Sequence, residues 1–188
     1  MGDSTPLKQS KLHWIDLVTI GVVVVLIAAI VAAIQSSRHR HPRGLGSLRC
    51  AYALESGIIN FYTEYGNLPN VGNQVSTDTP EGIKLLTILL GLERNAGNHE
   101  NQRDINFLGA KEGKDKRNGL IYNATGTAVE GLYDAWGNPY NLALGIRNEE
   151  RVQFSIGTQT FDLKGRWTAV FSAGPDKKLG TSDDLRSW

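Results

Sequence analysis

Residues 15–34 read IDLVTIGVVVVLIAAIVAAI. Asp16 and Thr19 are the only polar side chains in this run, and both lie at its start. About 20 apolar residues, each with a helical rise of about 1.5 Å, reach across a hydrocarbon core about 30 Å thick. The sequence therefore predicts one transmembrane helix at residues 15–34.

The residues that flank this run leave two alternatives open. Ala32 and Ala33 allow cleavage of the run as a secretory signal by a signal peptidase. The flanking basic residues are Lys8, Lys11, Arg38, Arg40, Arg43 and Arg49. More of these residues follow the run than precede it, and by the positive-inside rule this excess alone places the C-terminal domain in the cytoplasm. Basic side chains that lie at the level of the lipid headgroups allow the opposite orientation.

Length and charge limit the classes of protein that fit this chain. It has 188 residues and a formal net charge of +1, which fits one domain with an appendage and gives no basis for binding nucleic acid. A single cysteine, Cys50, excludes a disulfide framework within the chain. We predict a leader-like segment at residues 1–14, the transmembrane helix, and a globular domain at residues 35–188.

The globular domain is predicted to begin with a helix. Pro42, Gly44 and Gly46 predict a break or kink directly after the apolar run. A helix then resumes, because apolar residues recur at three- and four-residue steps and form one stripe. These residues are Ala51, Leu54, Ile58, Phe61 or Tyr62, and Tyr65.

A second helix and several strands are predicted to complete the domain. Thr79 has the character of a helix cap, and Pro80 suits the first turn of the helix that follows. The buried side of this helix consists of Leu85, Leu86, Leu89 and Leu90. Strands are predicted at residues 120–123, 139–146, 152–156 and 167–171, and a surface loop at residues 91–117.

The sequence contains no pattern that indicates an enzyme. Catalysis of hydrolysis or group transfer needs a nucleophile with its base, or a pair of groups that act as acid and base. Neighbouring acidic residues occur at Glu149 and Glu150, but these lie in a predicted turn and indicate a solvated charge pair. We therefore predict that the protein is not an enzyme.

The C-terminal segment contains three aspartates within a short stretch. Asp176, Asp183 and Asp184 lie in a loop that Gly174 and Gly180 allow to bend. Ca²⁺ binds six to eight oxygens from carboxylates and backbone carbonyls, and irregular loops supply such sets. The spacing is not that of an EF-hand, and many aspartate-rich turns bind only water. Calcium binding and a solvated turn are therefore both open at this point.

Three segments of the chain resemble one protein family. Residues 12–18, LHWIDLV, resemble the start of mature type IV pilins and pseudopilins. Residues 53–69 are similar to the end of that family's long helix. The motif DAWGNPY at residues 134–140 and the segment at residues 172–188 resemble the major pseudopilins of type II secretion. The resemblance covers nearly the whole chain in order, except for residues 91–117.

The resemblance implies a fold, a function and a location. The fold class is α+β, a pilin-like arrangement in which a long N-terminal helix, partly transmembrane, packs on a small antiparallel sheet. The function is that of a subunit in a type II secretion or type IV pilus fibre, assembling through its apolar helix to support protein secretion. The implied partners are further copies, other pseudopilins, the inner-membrane secretion machinery and membrane lipid. The implied location is the inner membrane, in a single pass, with a periplasmic C-terminal domain.

The resemblance also implies a calcium site. Asp176, Asp183 and Asp184 take the positions of carboxylate ligands, and the backbone carbonyls of Ala173 and Thr181 lie beside them in the motif. Calcium is therefore the cofactor that the resemblance implies.

The N-terminal motif departs from the family at its processing site. The family is cleaved after a glycine, and its new N-terminus is methylated, whereas Lys11 stands before Leu12 here. Asp16 replaces the family's early glutamate and offers a carboxylate to a neighbour's N-terminal amine, which would offset the cost of both charges in lipid. An uncleaved, membrane-anchored binding module that forms no fibre is the alternative function.

Overall fold

The structure is a computed structural model that describes residues 14–93, 99–145 and 149–188, with the backbone alone at residues 14–19 and 31–43. The chain divides into two compact units, Met1–His41 and Pro42–Trp188.

The described side chains of the first unit belong to helix α1, which has the bounds Trp14–Tyr65. All of them, at residues 20–30, are exposed. No helix formed by the described residues is both long enough and apolar enough to cross a membrane. This finding overturns the predicted transmembrane helix at residues 15–34 and the predicted single-pass location in the inner membrane.

The helical conformation continues through Pro42, Gly44 and Gly46, so a break of the helix at this place is wrong, whereas the predicted kink stays a prediction. A proline in a helix interior removes one backbone donor and clashes with the carbonyl four residues earlier, which can bend a helix without ending it. The boundary between the two compact units nevertheless falls at this place, between His41 and Pro42.

The second unit contains the apolar stripe predicted for α1. Ala51, Leu54, Ile58 and Phe61 are at most 2% exposed and belong to the main hydrophobic core. Burial of one leucine or isoleucine side chain contributes about 1.5–3 kcal/mol. The stripe therefore fixes which face of this part of α1 points into the domain.

Helix α2, Pro80–Leu89, confirms the predicted second helix. Thr79 precedes it in an extended conformation, and its Oγ1 accepts a hydrogen bond of 3.2 Å from the backbone N–H of Gly82. The leucines predicted for the buried side are buried: Leu85, Leu86, Leu89 and Leu90. Local capping and a regular apolar period therefore suffice to define this element.

The described residues of the second unit form eight strands in addition to α2. Their bounds are β1 Gln74–Ser76, β2 Gly119–Tyr122, β3 Val129–Tyr133, β4 Asn141–Leu144, β5 Arg151–Ile156, β6 Gln159–Lys164, β7 Thr168–Ser172 and β8 Leu185–Arg186. Strands β1, β4, β7 and β8 form one antiparallel sheet in that order, and β2–β3 and β5–β6 form two antiparallel hairpins. The four predicted strands correspond to β2, β4, β5 and β7.

The predicted fold class is wrong. The described residues form a mixed α/β fold with three antiparallel sheets, rather than a long, partly transmembrane helix on one small sheet. No local sequence pattern indicates β1, which has three residues, or β6, whose side chains are mostly exposed. Without these strands, the predicted sheet was too small and too simple.

A second, smaller core lies on the C-terminal side of the domain. Phe154 and Phe171 are buried in it, and Phe161 and Trp188 pack against them. The rings of Phe154 and Phe171 are stacked, with centroids 5.5 Å apart. This aromatic cluster borders β7 and β8, the strands that hold the C-terminal loop.

Candidate functional site

Two polar loops come together at one end of the four-stranded sheet. The Asp134 turn is residues 134–140, between β3 and β4, and the C-terminal loop is residues 173–184, between β7 and β8. In the antiparallel register, Asn141 at the start of β4 pairs with Phe171 near the end of β7. The turn that precedes β4 and the loop that follows β7 are therefore neighbours.

Asp134 is a fully buried carboxylate at the start of its turn. Its Oδ1 accepts hydrogen bonds from the backbone N–H groups of Trp136 and Asn138, each at 2.8 Å. Its Oδ2 accepts hydrogen bonds from Asn138 Nδ2 and Ser172 Oγ, also at 2.8 Å. Hydrogen bonds to an ionised acceptor are stronger than neutral ones. Both oxygens of this buried charge are thus satisfied by neutral donors.

The same network fixes the C-terminal loop against the turn. Asn138 Nδ2 donates a second hydrogen bond, of 2.7 Å, to the carbonyl of Gly174. Gly174 has a φ of +64°, and a Cβ at this position would meet the carbonyl oxygen of Asp183 at 2.2 Å. Glycine is therefore required where the two arms of the loop approach each other.

Helix α1 also contributes to the turn. Ser47 Oγ accepts a hydrogen bond of 2.9 Å from the backbone N–H of Ala135, and the Tyr140 hydroxyl donates one of 2.8 Å to the carbonyl of Ser47. Burial raises the pKa of Tyr140 far above its ordinary value, so the phenol stays protonated as a donor. The turn is thus tied to the helix as well as to the sheet.

In the C-terminal loop, Asp183 and Asp176 are engaged by the loop itself. Asp183 Oδ1 accepts a hydrogen bond from the Thr181 hydroxyl, and Asp183 Oδ2 accepts one of 3.0 Å from the backbone N–H of Asp176. The Thr181 hydroxyl is the main reason that the pKa of Asp183 is lowered from its ordinary value. Asp176 Oδ1 accepts a hydrogen bond of 2.8 Å from the backbone N–H of Lys178.

Asp184 differs from the other two aspartates of the loop. Its side chain is only 1% exposed. Its Oδ2 accepts hydrogen bonds from the backbone N–H of Gly180, at 2.9 Å, and from Arg186 Nη2, at 3.1 Å. Its Oδ1 is buried and has no hydrogen-bond partner within the described residues. A buried carboxylate oxygen without a partner is costly, and a cation is one group that can satisfy it.

The residues predicted for calcium lie together in one loop, but their three carboxylates do not form a ready-made cluster. Within the part of the chain that the structure describes, no three histidine, cysteine, aspartate or glutamate side chains are grouped as a metal site. The loop fits calcium at one point, because Asp184 Oδ1 is buried and lacks a partner. The remaining ligands would have to come from Asp176 and Asp183 after local rearrangement, and from the carbonyls of Ala173 and Thr181.

The other predicted site residues lie at the N-terminus. Lys11 and Leu12 lie outside the described residues, and Asp16 lies in α1 at a position where only the backbone is described. Their predicted roles in processing and assembly stay predictions.

Sequence reasoning missed the network around Asp134 and the ion pair of Arg186. The sequence did indicate a turn at residues 134–140, and an aspartate that starts a turn commonly accepts hydrogen bonds from backbone N–H groups two residues on. That signal could have identified the bond from Trp136. Nothing local indicated that Ser172, on a distant strand, would donate to the same carboxylate.

The domain also contains a cavity of about 320 Å³ beside α1, lined in part by Cys50, Lys111 and Tyr140. Burial raises the pKa of the Cys50 thiol from its ordinary value. The thiolate, rather than the thiol, is the nucleophilic form of cysteine. Burial therefore favours the thiol form of Cys50.

No family model, no curated protein and no solved structure matches the chain. The similarity to prepilin-type proteins therefore rests on the sequence motifs alone.

Proposed function

We propose that the protein is a structural subunit, related in function to the pseudopilins, that associates with further copies through the apolar part of α1 and forms a fibre that supports protein secretion. The order of the three sequence motifs supports this function, and so does the character of α1. The C-terminal loop of each subunit is stabilised by calcium, for which Asp184 is the first ligand.

The observation that carries this proposal is the exposure of the apolar part of α1. The large apolar side chains at residues 20–30 are between 52% and 68% exposed. They are Ile20, Val22, Val23, Val24, Val25, Leu26, Ile27 and Ile30. A helix that is apolar on every side is stable only when every side is covered, and a large exposed apolar surface marks an interaction site. Other copies of the same helix offer a matching surface.

The alanines and the glycine of this segment favour contact between helices. Gly21 has no neighbouring atom within 4 Å of the place where a Cβ would lie, and Ala28 and Ala29 are exposed as well. Small residues let two helix backbones approach closely, and close approach increases the van der Waals contact between the larger neighbours. The segment can therefore form a compact helical bundle in the centre of a fibre.

The calcium part of the proposal concerns the loop rather than the fibre axis. A bound calcium ion would supply positive charge to the unpartnered Oδ1 of Asp184. The protein's part is to hold Asp184 in place, which it does through the backbone N–H of Gly180. The link from Asn138 to the carbonyl of Gly174 holds the other arm of the loop. The loop would then present a rigid surface for contacts between the subunits of a fibre.

A pair of matched substitutions tests the assembly. Leu26 and Leu45 are both leucines of α1, with exposed fractions of 57% and 50%, but only Leu26 lies in the apolar segment. The experiment compares the full-length wild type, Leu26→Asp and Leu45→Asp by sedimentation velocity and negative-stain electron microscopy. We expect ordered fibres from the wild type and from Leu45→Asp, and dispersed particles from Leu26→Asp.

Either of two results would contradict the proposed assembly. One is a wild-type protein that stays monomeric or forms only irregular aggregates. The other is a Leu26→Asp protein that forms the same fibres as the wild type, because a charge in a helical bundle without water is strongly unfavourable.

A further inference from the structure

Arg186 holds a fixed position beside Asp184. It lies in β8, where its backbone pairs with Phe171 of β7. The centre of its guanidinium group lies 5.2 Å from the ring centroid of Phe161 and 5.8 Å from that of Trp188. A cation at this distance from an aromatic face is attracted to it. Strand pairing and two aromatic rings therefore keep the positive charge of Arg186 close to the C-terminal loop.

The ion pair between Arg186 and Asp184 is incomplete. Arg186 Nη2 donates to Asp184 Oδ2 at 3.1 Å. Arginine and a carboxylate commonly form two parallel hydrogen bonds, but here Arg186 Nε and Asp184 Oδ1 are both buried and both lack a partner. Within the described residues, these are the only two buried side-chain atoms of this kind, and they belong to one pair. The carboxylate thus has one oxygen bound to arginine and one available.

We propose that Arg186 is an internal competitor for the cation at Asp184, so that it lowers the affinity of the C-terminal loop for calcium. This inference rests on the calcium site of the proposed function. A divalent cation on Oδ1 and a guanidinium on Oδ2 share one carboxylate and repel each other. Calcium binding therefore weakens the bond from Arg186, and by the reciprocity of linked equilibria the bond from Arg186 weakens calcium binding.

This arrangement gives the loop two ways to neutralise one buried charge. Arg186 neutralises Asp184 at low calcium concentration, and calcium takes over this role at high concentration. The loop then stays anchored at Asp184 at both low and high calcium concentration. Because Arg186 weakens calcium binding, the ion can be exchanged. A purely structural arginine would change the stability of the loop but would leave the affinity for calcium unaltered.

Isothermal titration of the full-length protein with calcium chloride tests the competition. The variant is Arg186→Met, which keeps an unbranched side chain against the aromatic rings and removes the charge. The control is Arg151→Met, because Arg151 pairs with Asp162 on the β5–β6 hairpin, and Nη2 lies 2.6 Å from Oδ2 there. We expect Arg186→Met to bind calcium more tightly than the wild type by a factor of about five or more. Arg151→Met should bind calcium with the affinity of the wild type.

The outcomes separate this inference from the calcium site itself. Calcium binding by the wild type, with equal or weaker binding by Arg186→Met, overturns the competition and leaves the site standing. No binding by either protein overturns both.

A second measurement needs no variant and covers the case in which Arg186→Met fails to fold. The Nη–H resonances of the Arg186 guanidinium, whose Nη2 donates to Asp184 Oδ2, are followed by NMR in the wild-type protein during addition of calcium chloride. We expect their chemical shifts to change and their exchange with water to become faster as the bond to Asp184 weakens. A resonance that does not respond to saturating calcium overturns the inference.

Discussion

Asp134 and Asp184 are both aspartates with buried side chains, and both lie in loops at the same end of the four-stranded sheet. Asp134 accepts hydrogen bonds from neutral donors on both of its oxygens. Asp184 has donors on one oxygen only, and one of them belongs to a charged arginine. Burial alone therefore does not distinguish the two carboxylates. What distinguishes them is whether the fold itself supplies all the donors.

The largest effect is expected from Asp134→Ala. This change leaves the backbone N–H groups of Trp136 and Asn138, the Asn138 side chain and the Ser172 hydroxyl without their acceptor. An unsatisfied buried donor costs about 1–3 kcal/mol, so we expect the free energy of unfolding to fall by about 3 kcal/mol or more. Urea denaturation followed by circular dichroism measures this change.

Asp134→Asn is the control for this prediction. It keeps one oxygen as an acceptor for two of the donors but turns an NH2 group, which cannot accept, towards the others. Its loss in the free energy of unfolding should therefore be smaller than that of Asp134→Ala. A loss below about 1 kcal/mol for Asp134→Ala would show that the network around the turn adds little to stability.

The next effect is the response of the Asp184 loop to calcium. At a calcium concentration one hundred times the dissociation constant, a single site adds about 2.7 kcal/mol to the free energy of unfolding. We expect this gain for the wild type and its loss for Asp184→Asn, which keeps the shape of the side chain without its charge. Thermal unfolding in calcium and in a chelator measures it, and equal melting temperatures for the wild type in the two conditions would exclude the site.

A smaller effect is expected from Asp183→Ala. The change removes the acceptor of the Thr181 hydroxyl and of the Asp176 backbone N–H, and thus loosens the tip of the C-terminal loop. Limited proteolysis should cut the variant within residues 175–182 faster than the wild type, with the rest of the domain intact. An unchanged cleavage rate would show that the loop is held by Asp184 and Gly174 alone.

The smallest effect concerns an exposed pair, which serves as the reference for the two buried aspartates. Arg151 holds the pKa of Asp162 at about 2, mainly through its hydrogen bond to the carboxylate. Because the pKa is lowered by folding, the pair stabilises the fold fully above about pH 4, the ordinary aspartate range, and this contribution is lost as the pH falls towards 2. The Asp162→Asn variant should therefore lose the part of the acid sensitivity that lies in this window. An identical acid transition for both proteins would contradict this assignment.

Part of the fold follows from local sequence, and α2 is the clearest case. Thr79 and Pro80 define its start and a regular apolar period defines its buried side, so both could be predicted. Strand β5 could be predicted almost to its bounds as a short run bounded by turn residues, and in the structure exposed and buried side chains alternate along it. Its partner β6 has only exposed and partly buried side chains, so its own pattern does not indicate a strand, and its position follows from its pairing with β5 in the hairpin.

The site was predicted only in part, for a related reason. The three aspartates of the C-terminal loop are visible as a cluster in the sequence, but the difference between Asp184 and its neighbours depends on burial and on Arg186. The donor from Ser172 to Asp134 crosses between two elements that are far apart in the chain. Such contacts depend on the register of β4 and β7, which local patterns do not specify.

The most direct test is hydrogen–deuterium exchange of the full-length protein, with and without calcium, resolved to short peptides. If the fold supplies every donor for Asp134 but not for Asp184, calcium should slow exchange within residues 176–184 and leave residues 134–138 unchanged. Exchange that is equal in both conditions at residues 176–184, or that slows equally in both regions, would contradict the distinction between the two aspartates.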